Sequence, residues 1–455
     1  MEEDLRASWR VLNGAWLTGG DRARLCGIAR KRSEELERLP EDVRVLLIDT
    51  DPISYAAGIA AAVSTARPLR LFLGSPHWGV RDREQVLLQV CPHMIWSDEN
   101  AAATTDRPVD SLDELQVLIP TGGTTGGFKF VTHTRATLAH AANGLRAWMG
   151  GGPLSSVSFL PLFHVSGLMP LVRAWISGGT VTLASWQQIE AGAFPAVEDA
   201  LKMTSIVPTQ LVRLLGSPRA VAWLRQFKAV FLGGAAPWPR LLDDARTRGI
   251  PLAPCYGMSE TAAQIAAVRP DSFLADGSLA AEILPHATVD IVAPDGLTAV
   301  SPGGEGRIRV RARSLFLGYW PDLPRRQDRF LTPDVGKLDE RGRLHVLGRA
   351  DAVINSGGEK VEPAIVEHAV RESGLVSDVA VCGVADAKWG EAVVAVLVGC
   401  SPSDEARLIA RLRERLSPHQ VPKRFVHVDA IPRTLAGKVD RRALTQIAAG
   451  GHFAR

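Results

Sequence analysis

The chain has 455 residues, 46% of them apolar and 22% charged, which excludes a largely disordered chain and leaves room for about two to four structural units. Lys and Arg exceed Asp and Glu by 52 − 49, a formal charge of +3 that gives no reason to expect nucleic acid or an anionic membrane as partner. No apolar run reaches the roughly 18–20 residues of a membrane span; the N-terminus MEEDLRASWR is not a secretory signal, and five scattered cysteines without a CxxC argue against disulfides or structural zinc, so a soluble cytoplasmic enzyme is expected.

In chain order, Gln116–Pro120 reads as a buried strand, and Thr134 opens a helix running through Leu138, Ala141 and Leu145 to Trp148. Val157–Phe163 is a strand candidate, and Leu168–Ile176 is helical despite Pro170. The segments TVTLA, SIVPT, AVFLGG and PLAPCYG follow as strands, with PAVEDALKM and PRLLDDARTRG at helical spacing between them. Such alternation predicts an α/β fold of mainly parallel βα units with helices on both faces. From Thr288 the rhythm changes to alternating strands with Gly-rich turns, an antiparallel subdomain. Beyond Gly348 a helix, two strands and an amphipathic helix predict a compact α+β domain after a large domain of residues 1–348.

The strongest local signal is Thr121-Gly122-Gly123-Thr124-Thr125-Gly126-Gly127-Phe128-Lys129, directly after a predicted strand. Its glycines let backbone N–H groups converge, and its hydroxyls and lysine add donors and charge, which suits a polyphosphate. A Gly-rich hairpin turn is the alternative reading. A Walker A loop is excluded because Phe128 stands where lysine is required, and a Rossmann loop because Thr124 takes the second glycine position.

TGGTTGGFK resembles the phosphate loop TSGTTGxPKG of the adenylate-forming enzymes, which include the acyl-CoA synthetases, peptide-synthetase adenylation domains and luciferases. Further motifs follow in that family's order: CYGMSET (255–261), LFLGYW (315–320), TPDVGKLDERGRLHVLGRADAVINSGGEKVEP (332–363), KWGEAV (388–393) and PRTLAGKVDR (432–441). The resemblance covers roughly residues 115–445, the first hundred matching poorly. Gly122 replaces the loop serine, Gly127-Phe128 the usual polar residue and proline, Lys337 a common aromatic, and Asn355 a common Lys or Ile.

The resemblance implies two steps: a carboxylate attacks the α-phosphate of ATP, and coenzyme A then displaces AMP. It implies that Thr121 to Gly126 and Lys129 hold the β- and γ-phosphates, that Thr261 contacts the α-phosphate and that Glu260 holds Mg2+. Tyr256 and Gly257 on one side and Gly233, Gly234 and Ala235 on the other would enclose adenine, and Asp334 and Arg349 would bind the ribose. Lys438 would be the adenylation lysine. Asp351 would be the pivot of a hinge (349–352) about which a mobile domain (353–455) turns, bringing Gly357 and Gly358 to the pantetheine arm.

Within the family, Leu160–Trp175, Ser205–Leu215 and Phe231–Ile265 resemble the o-succinylbenzoate–CoA ligases of menaquinone and phylloquinone biosynthesis, the short N-terminus and phosphate loop most like the cyanobacterial branch. That substrate has two carboxylates and only one is activated, so the other needs polar partners in an apolar pocket. His164, Ser166 and Arg213 are the candidates. The alternatives are a ligase for another aryl or medium-chain acid, a stand-alone enzyme loading a carrier protein, and a non-catalytic nucleotide binder. The chain ends at Arg455 with no carrier domain, which tells against the second, and retains Lys438, Glu260 and Asp351, which tells against the third. Small molecules are the expected partners, and a homo-oligomer is left open.

Overall fold

The structure, a computed structural model, describes residues 12–40, 43–97, 102–103, 114–121, 128–197, 202–235, 237, 239–301, 303–322, 327–350, 354–357, 359–361, 363–433 and 439–450. Helices α1 (Arg22–Glu37), α2 (Pro52–Ser64) and α3 (Val80–Val90) alternate with strands β1 (Val43–Ile48), β2 (Leu69–Leu73) and β3 (Met94–Ser97). With β4 (Ala102–Ala103), β5 (Gln116–Thr121) and β6 (Lys129–Thr134) they lead into a seven-stranded sheet, to which Gly318–Trp320 is added at the β6 edge. Strands β3, β1, β2 and β5 run parallel. β5 and β6 pair antiparallel, with Thr121 opposite Lys129.

The second sheet comprises β7 (Ser156–Ser158), β8 (Val181–Leu183), β9 (Met203–Ile206), β10 (Ala229–Leu232), β11 (Leu252–Met258), β12 (Ala263–Ala267) and β13 (Glu282–Ile283). Its spatial order is β13-β12-β11-β10-β9-β7-β8, the first two antiparallel and the other five parallel. Helices α4 (Arg135–Trp148) and α5 (Val165–Ser177) pack on each other and touch both sheets. Thr134 caps α4 as expected, its hydroxyl accepting from Thr137 N while Thr137 returns a bond to Thr134 N. α5 is buried from Gly167 to Trp175 without a break, as a helix apolar on all sides must be.

An antiparallel sheet of β14 (Ala287–Val292), β15 (Gly306–Ala312), β17 (Phe330–Leu338) and β18 (Leu344–Arg349) follows, with β16 (Gly318–Trp320) between them in sequence only. The last sheet holds β19 (Ile354–Ser356), β20 (Glu359–Val361), β21 (Asp378–Asp386), β22 (Gly390–Val398) and β23 (Arg424–His427), with apolar clusters of its own drawn from residues 354–448. The α/β class with an antiparallel subdomain and a small α+β unit is the predicted one.

Two elements differ from expectation. Only Val157 and Ser158 of the predicted 157–163 strand are in the sheet, within β7. Phe159 and Phe163 are buried but leave the ladder, where Pro161 has no N–H to contribute, so the apolar run reports burial alone. In PAVEDALKM, residues 195–197 are not helical and Met203 already begins β9; residues 198–201 lie outside the described set.

Candidate active site

Ligands of open parallel sheets bind beyond the carboxyl ends of the strands, and the predicted nucleotide residues gather there. Leu232 pairs with Pro254, so Gly233–Ala235 leave β10 beside Cys255 and Tyr256 of β11. A side chain at Gly233 would lie 3.0 Å from Cys255 Sγ, and Gly234 has φ +82°. The Tyr256 hydroxyl donates to Asp334 Oδ2 at 2.7 Å and lies 3.2 Å from Thr332 Oγ1. Asp334 stands opposite Arg349 across the β17–β18 ladder. Burial, then the Asp334 charge, raises the Tyr256 phenol far above its ordinary range, so the ring stays neutral. Tyr256, Asp334 and Arg349, distant in sequence, thus form one group.

Four residues past Tyr256, Glu260 sits in a short 3-10 turn (Ser259–Thr261). The chain leaves that turn through Ala262 and Ala263, both at positive φ (+55° and +85°), a conformation costly for L-residues and common where a site fixes the backbone. A β-bulge at Tyr256/Gly257 accommodates the return strand. A Cβ on Gly257 would lie 2.0 Å from the Ala263 carbonyl oxygen, so only glycine fits. Gly257→Ala must displace backbone, and we expect it to lower stability by about 1–3 kcal/mol, read as a fall in the urea midpoint; an unchanged midpoint would show that the turn is soft.

Thr261 is not where its expected role requires. It is fully buried, and its hydroxyl is held among Met258 O (3.0 Å), Met258 N (3.0 Å) and Ala263 O (2.6 Å), where it braces the turn. The hydroxyl on the half-exposed side of the turn belongs to Ser259, directly before Glu260. The signal was available, since in CYGMSET it is Ser259 that fills the threonine position of YGxTE.

Glu260 Oε1 accepts from the Tyr319 hydroxyl at 2.7 Å, and its backbone carbonyl accepts from Phe316 N at 2.9 Å. Tyr319 is on β16, paired with Val131 of β6, and Lys129 Nζ lies over its ring at 5.6 Å from the centroid. Tyr319 therefore links the lysine of the phosphate loop to the carboxylate, a role the sequence reading missed although GYW was quoted. Burial and the Glu260 charge push its phenol up, so it remains a donor. His133 completes the support: its Nε2–H donates to Ser259 O at 2.7 Å, and burial lowers the imidazole to about 4, which keeps it neutral. Glu260 Oε2 receives no donor from the described residues. One carboxylate oxygen near the predicted phosphate loop would suit Mg2+, which keeps most of its waters and shares its other ligands with phosphate.

Of the residues expected to face the acid, His164 occupies the N-cap position of α5 without a side-chain capping bond, and Ser166 lies in the first turn; both are half-buried. Gly167 secures the bend, since a Cβ there would lie 2.2 Å from Pro161 O. Arg213 is not in the site. It ends α7 (Pro208–Leu215) after the short helix α6 (Trp186–Glu190), its side chain is 61% exposed, and it pairs with Glu190. Leu211, Leu214 and Leu215 form the buried face of α7, which turns position 213 outward. Arg173 of α5, by contrast, is buried, 4% exposed, its Nη2 donating to Gln264 Oε1.

In the last sheet's region, Gly357 has φ +65° and donates its N–H to Trp389 O at 2.8 Å. Gly122, Gly123, Thr124, Thr125, Gly126, Asp351, Gly358 and Lys438 lie outside the described residues. No helix among the described residues is long and apolar enough to cross a membrane.

Comparison with known proteins accords with this geometry. The model of the AMP-binding enzyme family matches residues 28–320, and that of the AMP-binding enzyme C-terminal domain matches residues 365–438. The chain belongs to the AMP-binding enzyme family, the adenylate-forming enzymes that its motifs resemble. The match from residue 28 includes much of the N-terminal segment that the motifs left unassigned. The chain is 36% identical over 347 residues to the 2-succinylbenzoate–CoA ligase of Geobacillus kaustophilus, covering 74% of this chain and 70% of that one. It is 34% identical over 344 residues to the indoleacetate–CoA ligase of Aromatoleum aromaticum, covering 73% and 67%. Its fold is that of the o-succinylbenzoate CoA synthetase from Bacillus subtilis solved with its acyl-adenylate intermediate: TM-score 0.78, 24% identity, 95% of this chain and 93% of that one.

Proposed function

We propose that this AMP-forming acid–CoA ligase acts on o-succinylbenzoate. Its carboxylate on the side chain attacks the α-phosphate of ATP, the bond to the β-phosphate oxygen breaks, and pyrophosphate leaves. The coenzyme A thiol then loses its proton, its sulfur bonds to the acyl carbon, and AMP departs. The observation that carries the reading is that two groups hang from the end of one strand, β11. Tyr256, with Asp334 and Arg349, can take the nucleoside. Glu260, with Tyr319 and Lys129, can take the phosphates and Mg2+. Ser259, not Thr261, is then the hydroxyl for the α-phosphate. Mg2+ would be held by Glu260 and would supply charge neutralisation at the phosphates.

In this reading Lys438 bridges acid and α-phosphate, and residues 353–455 turn about Asp351 between the steps, carrying Gly357 and Gly358 to the pantetheine arm. The reaction belongs in the cytoplasm, where ATP and coenzyme A are supplied. Support for the acid comes from relatives named 2-succinylbenzoate–CoA ligases at 31–36% identity. A second reading, another arylalkanoic acid, is favoured by the indoleacetate–CoA ligase match. A panel of o-succinylbenzoate, indoleacetate, benzoate and octanoate with ATP, Mg2+ and coenzyme A, scored by thioester mass, decides. The expected product is the monothioester of the chain carboxylate. Higher kcat/KM for any other acid overturns the substrate assignment.

A further inference from the structure

Lys129 stands between two anchored rings. Phe130 packs edge-on against Phe72 of β2, 5.2 Å between centroids, and lies 6.2 Å from Trp320 of β16. Phe128 packs edge-on against Trp78 at 5.0 Å, and both rings border the same apolar cluster. The lysine between them reaches the Tyr319 ring instead. Phe130 lies within β6, where the ladders to β5 and β16 already fix the backbone. Phe128 is the step between that ladder and Thr121–Gly127, a segment with four glycines in seven residues. Each glycine adds backbone freedom that must be lost if N–H groups are to converge on a phosphate. Phe128 also stands where the resembling loops have proline, which would fix φ at this step as phenylalanine does not.

Two elements outside the loop hold Phe128. Trp78 lies in the connection between β2 and α3, beyond the carboxyl end of β2. That connection is itself tied down. Gly74 N donates to Leu47 O at 2.7 Å, and Arg83 of α3 donates to the carbonyls of Pro76 (2.7 Å) and Trp78 (3.2 Å). The Trp78 ring is set against Gly74, where a Cβ would lie 3.2 Å from its Cζ3. Gln89, near the C-terminal end of α3, donates from Nε2 to Phe128 O at 2.8 Å. The ring and the carbonyl of Phe128 thus have separate partners, both half-buried, which fix its orientation as well as its place.

We propose that Trp78 and Gln89 are positioning residues for the phosphate loop, gripping Phe128 so that Lys129 and the N–H groups before it meet the β- and γ-phosphates without the usual proline. This rests on the reading of residues 121–129 as the polyphosphate site. Both residues act through Phe128. The consequence is selective. A loosened grip lowers the fraction of chains whose loop is ready for a polyphosphate, and apparent affinity falls by that fraction. ATP and pyrophosphate lose affinity, whereas AMP, the acid and the acyl-adenylate have no β- or γ-phosphate to lose.

The test is Trp78→Ala, with Phe128→Ala and the double variant completing a cycle. Trp78→Ala is expected to raise the KM for ATP in adenylation about 3- to 10-fold, the range for one aromatic pair. The KM for the acid, inhibition by AMP and thioester formation from supplied adenylate should stay as in the wild type. Phe128→Ala should also raise the KM for ATP, and the double variant should go no further than Phe128→Ala, because both changes remove one contact. Trp78→Phe keeps a ring and should retain most of the wild-type KM. Gln89→Leu removes only the donor to Phe128 and should shift the KM for ATP in the same direction; it decides the matter if Trp78→Ala does not fold. A wild-type KM for ATP in Trp78→Ala or Gln89→Leu, full additivity in the cycle, or an equal weakening of AMP overturns the proposal. Lys129→Ala tests the loop reading separately: it should raise the KM for ATP at least as much, and a wild-type value there would overturn the polyphosphate site itself.

Discussion

Lys438→Ala is expected to abolish nearly all acyl-adenylate formation from acid and ATP while leaving thioester formation from preformed acyl-adenylate and coenzyme A close to the normal rate. The groups proposed to hold the nucleotide, Tyr256 with Asp334 and Glu260 with Tyr319, belong to residues before the proposed hinge. ATP binding should therefore survive. What would be lost, on the proposed role, is an ammonium where negative charge grows during attack on phosphorus, and removing one such group costs about 10²–10³ in rate. In the proposed second step the C-terminal unit would have turned, so Lys438 would no longer face the reacting bond. Asp351→Pro, which restricts the backbone of the hinge, should show the converse: adenylation kept, thioester formation lost. The two half-reactions are separable by pyrophosphate exchange and by supplying the adenylate. Equal loss of both in a folded Lys438→Ala protein would contradict a rotating C-terminal unit.

How much of this could be read without coordinates depended on whether a residue's role was local. Tyr256, Gly257 and Glu260 lie within five positions on one strand end and the turn after it, so a motif fixes their mutual placement. Gly257 illustrates the reason: the Ala263 carbonyl excludes any side chain there, and the exclusion is a property of a short hairpin. Thr261 failed within the same motif because two hydroxyls flank Glu260; the residue order of YGxTE points to Ser259, and the burial of Thr261 bears that out. Tyr319 was missed because its partner is far away in sequence, reached through a strand added at the edge of the first sheet.

The acid pocket was less legible for a different reason. Arg213 was chosen for the chemistry of its side chain, but the leucines around it already define a buried face of α7 from which it is excluded. Arg173 was overlooked within LMPLVRAWI, an apolar run where a helix has no polar side to offer it. A charge in such a run must be buried, and a buried charge demands an explanation. The position of a charge on its helix was thus more informative than its identity.

Glu260→Gln is the substitution expected to show most directly how the phosphate side works. Gln keeps a carbonyl oxygen that can accept from Tyr319, so the bond that joins the turn to β16 need not break, and the backbone contact from Phe316 to the carbonyl of residue 260 is untouched. Only the negative charge goes. If that charge holds Mg2+, adenylation should fall by about 10²–10³, and the Mg2+ concentration for half-maximal rate should rise, since a neutral amide is a poor ligand for a hard dication. Tyr319→Phe separates bracing from charge. It removes one hydrogen bond to a carboxylate, worth about 1.5–3 kcal/mol, and should impair adenylation less than Glu260→Gln while leaving the Mg2+ dependence nearly unchanged. Thioester formation from supplied adenylate needs no polyphosphate and should be affected little by either change. A Glu260→Gln enzyme with wild-type Mg2+ dependence would remove Glu260 from metal binding and leave it a structural acceptor for Tyr319.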